Sequence, residues 1–147
     1  AIIVVPEKSI GGSFADEALT EYGFWADWKV APQWNLCNAP GDDEVKADKS
    51  KVRAVGRFLE SVDTVLVCTH ATFRFAVEEY GIAAFNDRLV AVDEFHHVSS
   101  NPDNVLGNQL TQLIAAGSAH LVAMTGSYFR GDAVAVLAPQ DENRFET

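Results

Sequence analysis

The sequence is poor in the features that mark several protein classes. It has two cysteines, Cys37 and Cys68, and no CxxC pair. No apolar run approaches the roughly 20 residues that a bilayer-crossing helix needs, and the opening run from Ala1 to Pro6 lacks the basic flank of a signal peptide. We therefore expect a cytoplasmic protein without a membrane partner, whose thiols are reduced in its core. A disulfide between them stays an alternative at this stage.

Positive charge is also scarce. The chain has 11 Lys and Arg residues against 21 Asp and Glu residues, and its formal net charge is −10. A domain of this charge does not attract nucleic acid through its overall field. A stand-alone DNA-binding module is therefore disfavoured, and any contact with nucleic acid must be local or supplied by other parts of the protein.

Apolar residues, by contrast, are plentiful enough for a core. The 147 residues are 48% hydrophobic and 22% charged, which suits a single domain. The sequence begins inside a hydrophobic run without an initiator Met, whereas domains usually begin in a polar segment. We expect residues 1–147 to form one partial domain taken from a longer polypeptide.

Short apolar runs alternate with helical patterns along the chain. Continuously apolar runs with many β-branched residues are typical of buried strands in a parallel sheet. The predicted strands are Ala1–Val5, Trp34–Cys37, Thr64–Cys68, Leu89–Val92, His120–Met124 and Ala133–Leu137. Strand–helix alternation of this kind predicts an α/β fold with a mainly parallel sheet flanked by helices.

Three segments between these strands have apolar residues at helical spacing. Their predicted buried stripes are Val52, Val55, Leu59 and Val62; Phe73, Ala76, Val77 and Tyr80; and Val105, Leu106, Leu110, Leu113 and Ile114. The third helix is predicted to have Ser100 or Asn101 as its cap, Pro102 in its first turn and Gly117 at its end. A weaker pattern places Phe14, Ala18 and Tyr22 on one further helix face.

The strongest chemical signal follows the strand Leu89–Val92. Two adjacent carboxylates, Asp93 and Glu94, come directly after it, and two histidines begin at His96. Ligands of open parallel sheets bind outside the carboxyl ends of the strands. Asp93 could there hold a hydrated Mg²⁺ near nucleotide phosphates, while Glu94 orients or deprotonates the attacking water and His96 senses the nucleotide. In the alternative interpretation, the acids cap a turn and the histidines are surface residues.

The strand that begins at His120 ends in the small polar residues Thr125, Gly126 and Ser127. It comes one strand–helix unit after Asp93, so the two strand ends can be neighbours at one edge of the sheet. The hydroxyl groups could then bond His96 or the carboxylates. An ordinary turn, built on Gly126 and Ser127, is the alternative.

Two earlier strand ends carry weaker signals. Thr69 and His70 begin a helix whose first amides could bind a phosphate of nucleic acid, although Thr69 or Thr72 could equally be a simple N-cap. Lys8 and Ser9 follow the first strand and are candidate phosphate contacts, with a solvated loop as the alternative.

Together, the four strand ends resemble the motif series of superfamily 2 helicases and translocases. Pro6-Glu7-Lys8 resembles motif Ia, and Thr69-His70-Ala71-Thr72 is similar to motif Ib. Asp93-Glu94-Phe95-His96 matches the DExH form of motif II, and Thr125-Gly126-Ser127 resembles motif III. The resemblance covers almost the whole chain. It is specific because the four motifs occur together in the expected order and spacing. The nearest group contains restriction-enzyme translocating subunits, such as the Res subunits of type III enzymes, and repair helicases.

The resemblance implies a fold and a set of roles. The fold would be the first RecA-like motor domain, with helices on both sides of the sheet. Asp93 would bind Mg²⁺ through water, Glu94 would activate water, and His96 would couple the site to its neighbours. The motif III residues Thr125, Gly126 and Ser127 would link the ATP state to strand movement. The implied contacts with the nucleic-acid track, with DNA favoured over RNA, are Lys8, Ser9, Thr69, His70 and Arg130.

The sequence departs from the helicase pattern at one important point. It contains no GxxxxGK[ST] P-loop, since residues 8–13 have suitable residue types in the wrong order. The strand and helix of the P-loop and the second RecA-like domain would lie elsewhere in the same polypeptide and would be partners of this chain. Because ATP hydrolysis needs both, Mg²⁺ and ATP are expected cofactors of the full-length protein. We expect no tight cofactor binding and no ATPase activity from this chain alone, and the exposed sheet edge is a reason to expect self-association.

Two other functions stay open at the level of sequence. One is a metal-dependent hydrolase that uses Asp93, Glu94 and His96, together with His97 and His70; the other is a non-catalytic α/β interaction domain. Five basic residues, Lys46, Lys49, Lys51, Arg53 and Arg57, are interpreted as a solvated face rather than a nucleic-acid contact. Trp25, Trp28 and Trp34 are interpreted as core or covered residues rather than a base-stacking platform.

Overall fold

The computed structural model describes residues 1–39, 49–95 and 104–126, and Asn143. Within these ranges four strands form one sheet in which every pairing is parallel. The strands are β1 (Ile2–Val5), β2 (Leu66–Thr69), β3 (Leu89–Val92) and β4 (His120–Ala123), in the spatial order β2-β1-β3-β4. The predicted fold class, an α/β fold with a parallel sheet flanked by helices, is confirmed.

Helices connect the strands within the described ranges. The α-helices are α1 (Lys8–Gly12), α2 (Lys49–Glu60), α3 (His70–Tyr80) and α4 (Val105–Ala116). Short 3₁₀ helices span Leu19–Tyr22, Pro32–Trp34 and Ile82–Phe85. None of the described helices is long and apolar enough to cross a membrane.

The sheet is covered on both faces, and successive strand residues point to opposite sides. On one face, Ile2 and Val4 belong to a core cluster that includes large buried apolar residues of α2, α3 and α4. On the other face, Ile3 and Val5 pack in a second cluster with Val30, Cys37 and the half-buried side chains of Ile10, Phe14 and Trp28. This two-sided burial explains why the strands are continuously apolar rather than alternating.

The predicted strand Trp34–Cys37 is wrong. Trp34 ends a 3₁₀ helix that begins at Pro32, and the next residue, Asn35, makes a single parallel bridge to Val67 at the outer edge of β2. The indole N–H of Trp34 donates to an Asp63 carboxylate oxygen at 2.6 Å. The apolar character of the segment therefore reflects burial against the β2 edge rather than membership of a ladder.

The helix ends also differ from the sequence prediction. Helix α2 ends at Glu60, so Val62 is 98% exposed and does not belong to the buried stripe. Helix α4 is capped by Asn104, whose side-chain oxygen accepts from the Gly107 amide at 2.9 Å. The predicted start of this helix at residues 100–102 is therefore wrong, although those residues lie outside the described ranges. The predicted end at Gly117 is confirmed by its left-handed φ of 67°.

Other buried-stripe predictions are confirmed in part. Tyr80 and Val105 are partly exposed, at 37% and 44%, whereas the remaining members of their stripes are buried or half-buried. The weak pattern at residues 14–22 predicted a helix face, but only the 3₁₀ turn forms and Tyr22 is 77% exposed. The predicted strand Ala133–Leu137 lies outside the described residues.

The remaining side-chain predictions have mixed outcomes. Both cysteines are buried as thiols outside any disulfide, as expected. On α2, Lys49, Arg53 and Arg57 are exposed, but Lys51 is only 2% exposed, so the predicted solvated face is wrong at this position. Lys46 lies outside the described ranges. Of the three tryptophans, Trp34 is buried and Trp28 half-buried, whereas Trp25 is 99% exposed and is not a core residue.

Candidate active site

The four strand ends singled out in the sequence meet at one edge of the sheet. Because all strands run parallel, their carboxyl ends share that edge. Lys8 follows β1, His70 follows β2, Asp93 follows β3 and Thr125 lies just beyond β4. Strand β1 lies between β2 and β3, so the ends that carry His70 and Asp93 are separated by the width of one strand.

The Asp93–Glu94 turn is held at both ends by backbone hydrogen bonds. The Asp93 amide donates to the Val4 carbonyl at 2.8 Å and continues the pairing of β3 with β1. The Phe95 amide donates to the Met124 carbonyl at 2.9 Å, and the Phe95 ring is buried in the core. The two acids are thus placed between a sheet ladder and a buried anchor, and both are half-buried.

Glu94 adopts a backbone conformation that is unusual for its residue type. Its φ is +50°, in the left-handed region, where a residue with a Cβ atom is disfavoured by roughly 1–2 kcal/mol. The Glu94 amide donates to the Asp93 side-chain oxygen Oδ1 at 2.9 Å, which stabilises the turn locally. Strained residues of this kind cluster at functional sites, where the surrounding structure holds them in place.

His70 contacts the same turn from the neighbouring side of the sheet. Its Nε2 lies 2.9 Å from the backbone carbonyl oxygen of Asp93. A carbonyl oxygen only accepts, so Nε2 carries the proton in this contact. The hydrogen bond connects the start of α3 to the end of β3 across the end of β1. The sequence offered His70 as a nucleic-acid contact or as a residue of the alternative metal site, and nothing in the spacing of the two residues could have revealed this link.

Thr69 is the N-cap of α3. Its Oγ1 accepts from the Thr72 amide at 3.2 Å and lies 3.2 Å from the Thr72 hydroxyl, and both side chains are buried. The N-cap interpretation is therefore confirmed. A contact between Thr69 and nucleic acid remains a prediction.

Four of the other predicted residues are described, and three lie outside the described ranges. Ser9 is exposed, and its hydroxyl donates to a Glu7 carboxylate oxygen at 2.6 Å, while Lys8 is half-buried in the first turn of α1. Thr125 and Gly126 are exposed just after β4. His96, Ser127 and Arg130 are not among the described residues.

A metal cluster built only from protein ligands is absent from the described part of the chain. No group of three or more His, Cys, Asp or Glu side chains there could hold a metal ion. The histidines at 96 and 97, on which the metal-dependent hydrolase depended, lie outside the described ranges. Within those ranges, Asp93 and Glu94 offer carboxylate oxygens, which suit a cation that completes its coordination with water and phosphate.

Comparison with known proteins identifies a relative of the chain. No family profile and no solved structure matches it. Over 145 residues it is 51% identical to a protein of Bacillus subtilis (strain 168) named "Putative ATP-dependent helicase YeeB". This chain is a homologue of a helicase-named protein.

The match covers 99% of this chain but 23% of the relative, so the chain spans about a quarter of the relative's length. The relative's name confirms the resemblance to ATP-dependent helicases. The parallel sheet fits a RecA-like domain. The assignment to superfamily 2, and to its DExH group, stays a prediction.

Proposed function

We propose that this chain supplies the magnesium-binding and water-activating acids of a nucleic-acid-dependent ATPase motor of the helicase or translocase type. The observation that carries the proposal is the Asp93–Glu94 turn at the carboxyl edge of a parallel sheet, where such sheets bind their ligands. The helicase name of a relative with 51% identity supports it. The superfamily 2 DExH type is part of the proposal, on the motif order given above.

Asp93 is proposed to hold Mg²⁺ through water. Mg²⁺ keeps several waters and is usually bound by one or two carboxylates together with substrate phosphates. One Asp93 oxygen accepts from the Glu94 amide, and a carboxylate has further acceptor positions for metal-bound water. When bound, the ion would neutralise charge on the nucleotide phosphates.

Glu94 is proposed to orient or deprotonate the attacking water. Its left-handed backbone directs it differently from the preceding strand residues, and the bonds on both sides of the turn restrict its movement. Pre-positioning of this kind lowers the entropic part of the barrier. His96, which follows Phe95, is proposed to couple this turn to the motif III residues Thr125, Gly126 and Ser127.

The nucleic-acid contacts are proposed to come from the ends of β1 and β2. Lys8, Ser9, Thr69 and His70 follow these strands, and Arg130 is added from the sequence. His70 gives this proposal a physical route, because its hydrogen bond joins the start of α3 to the Asp93 carbonyl. A shift of α3 on binding DNA, which we favour over RNA, would then act on the acidic turn.

The phosphate cradle is proposed to come from other parts of the polypeptide, because the chain has no GxxxxGK[ST] sequence. ATP and Mg²⁺ are thus cofactors of the whole protein, and the second motor domain is its further partner. In that arrangement the chain holds part of an active site rather than a complete one.

Replacing Glu94 with Gln in the complete polypeptide tests the proposal. The substitution keeps the shape of the side chain and removes its basicity. We expect nucleic-acid-stimulated ATP hydrolysis to fall by about a hundredfold or more, while binding of ATP and Mg²⁺ is kept. Glu60→Gln, at the exposed end of α2, is the matched control. Turnover by Glu94→Gln at the rate of that control would refute the proposed role.

A further inference from the structure

Residues 17–28 form a closed loop whose tip carries three unburied aromatic side chains. The base is closed by an antiparallel bridge, in which the amides of Glu17 and Trp28 each donate to the other's carbonyl at 3.0 Å. At the tip, Tyr22 is 77% exposed, Phe24 60% and Trp25 99%. Large aromatic residues grouped on a surface are typical of protein interaction sites.

The loop is ordered by its own hydrogen bonds. The amide and hydroxyl of Thr20 donate to the Asp27 Oδ1 at 3.0 and 2.7 Å and thus join its two sides. Gly23, with a φ of +89°, ends the 3₁₀ turn, and the Phe24 amide donates to the Leu19 carbonyl at 3.3 Å. A pre-ordered loop loses little conformational entropy on binding, so its aromatic side chains can contribute more of their contact energy to affinity.

The charges around the tip restrict the kind of partner. Four acids lie in or beside the loop, namely Asp16, Glu17, Glu21 and Asp27. The one basic residue in the same stretch is Lys29. This excess of negative charge repels a phosphate backbone. It also disfavours a second copy of a chain whose net charge is −10. It fits a protein surface in which Lys and Arg residues surround an apolar pocket.

We propose that this loop, through Trp25, docks the chain onto an apolar, basic-rimmed pocket of another domain in the same polypeptide. The matched segment makes up 23% of the relative's length, so in that protein it lies beside much further chain. A fully exposed Trp on an ordered acidic loop has the character of an interface anchor. The inference goes beyond the proposed function, because docking requires no ATP hydrolysis and can be measured without it.

The test labels all tryptophans with 5-fluorotryptophan and records fluorine NMR spectra of the 147-residue chain and of the polypeptide from its complete reading frame. Trp25→Phe assigns the Trp25 resonance. We expect this resonance to show a full H₂O-to-D₂O shift in the 147-residue chain and to lose most of it in the complete polypeptide. The resonance of buried Trp34 serves as the internal reference, because its H₂O-to-D₂O shift should be small in both polypeptides.

Charge provides the second arm of the experiment. Glu21 lies exposed at the tip, so Glu21→Gln should lower the salt concentration at which Trp25 becomes exposed in the complete polypeptide. Glu60→Gln is the matched control and should leave that concentration unchanged. The proposal is overturned if Trp25 stays exposed in the complete polypeptide, or if the reading frame encodes no further domain. It is also overturned if Trp25 is covered only by added single-stranded DNA, or only through concentration-dependent self-association.

Discussion

At the residue scale, Glu94 combines a left-handed backbone with the position expected of a catalytic acid. Its φ of +50° disfavours any residue with a Cβ atom. Glu94→Gly should therefore be more stable than Glu94→Ala by about 1 kcal/mol, against the usual order at ordinary positions. Urea unfolding of the two variants measures the difference. An Ala variant that is the more stable of the two would show that the turn does not hold this conformation.

The residue scale also shows where sequence reasoning stops. Asp93 and Glu94 could be predicted at a strand end, because a continuously apolar run followed by two acids is a local pattern. The bond between the His70 ring and the Asp93 carbonyl could not, because it depends on the path of α3 across the end of β1. The sequence left open whether Thr69 caps α3, and its hydrogen bond with the Thr72 amide at 3.2 Å shows that it does.

At the scale of elements, α1 lies against the sheet at Gly11, and a side chain there has no room. A Cβ atom on Gly11 would lie 2.1 Å from the Cys37 Sγ and 3.0 Å from a Val5 methyl carbon, both in buried side chains. Gly11→Ala should therefore destabilise the chain by about 1–3 kcal/mol. Gly12→Ala is the matched control, since its Cβ would meet only the exposed Asn38 side chain, at 3.0 Å. Chemical denaturation measures both variants, and equal stabilities would contradict the close packing.

The stability of the loop 17–28 should depend on pH through the Asp27 carboxyl. The hydrogen bond from the Thr20 hydroxyl, followed by that from its amide, lowers the pKa of the Asp27 carboxyl below 3.8. Asp27 therefore binds a proton less readily in the folded loop than in the unfolded chain, and the stability of the folded loop rises with pH. The contribution is complete above pH 3.8 and is lost as the pH falls through the lowered pKa. Following the Thr20 amide by NMR should show this acid transition, and Asp27→Asn should remove it. The same transition persisting in Asp27→Asn would assign it elsewhere.

Elements were predictable where one local pattern decided them. Strand β3 has the bounds Leu89–Val92 that its apolar run predicts, and Gly117 ends α4 because only a residue that tolerates positive φ suits that cap. The segment Trp34–Cys37 has the same local pattern as a strand, but its position at the β2 edge allows one bridge only. The start of α4 was misplaced because Asn104 and the earlier Ser and Asn residues offer the same capping chemistry.

At the scale of the whole molecule, the sheet is unevenly covered. Strands β1 and β2 are buried along their whole length, whereas β4 alternates between exposed and half-buried residues, and Val122 is 41% exposed. Leu89, at the start of the neighbouring β3, is 40% exposed. Apolar surface on a strand of this kind favours further packing against protein. This surface fits the expected self-association of the chain. It equally fits association with other domains.

The isolated chain should also show little or no ATPase activity. Hydrolysis of ATP by a motor of this type needs a phosphate cradle and a second domain in addition to the acids, and the sequence has no GxxxxGK[ST] motif. We therefore expect the purified 147-residue chain to bind ATP and Mg²⁺ weakly or not at all. Its phosphate release, with or without DNA, should equal that of its own Glu94→Gln variant. Calorimetry measures the binding and a phosphate-release assay the turnover. Robust hydrolysis that Glu94→Gln abolishes would mean that this chain holds a complete active site, and the assignment of the phosphate cradle to other parts of the polypeptide would have to be abandoned.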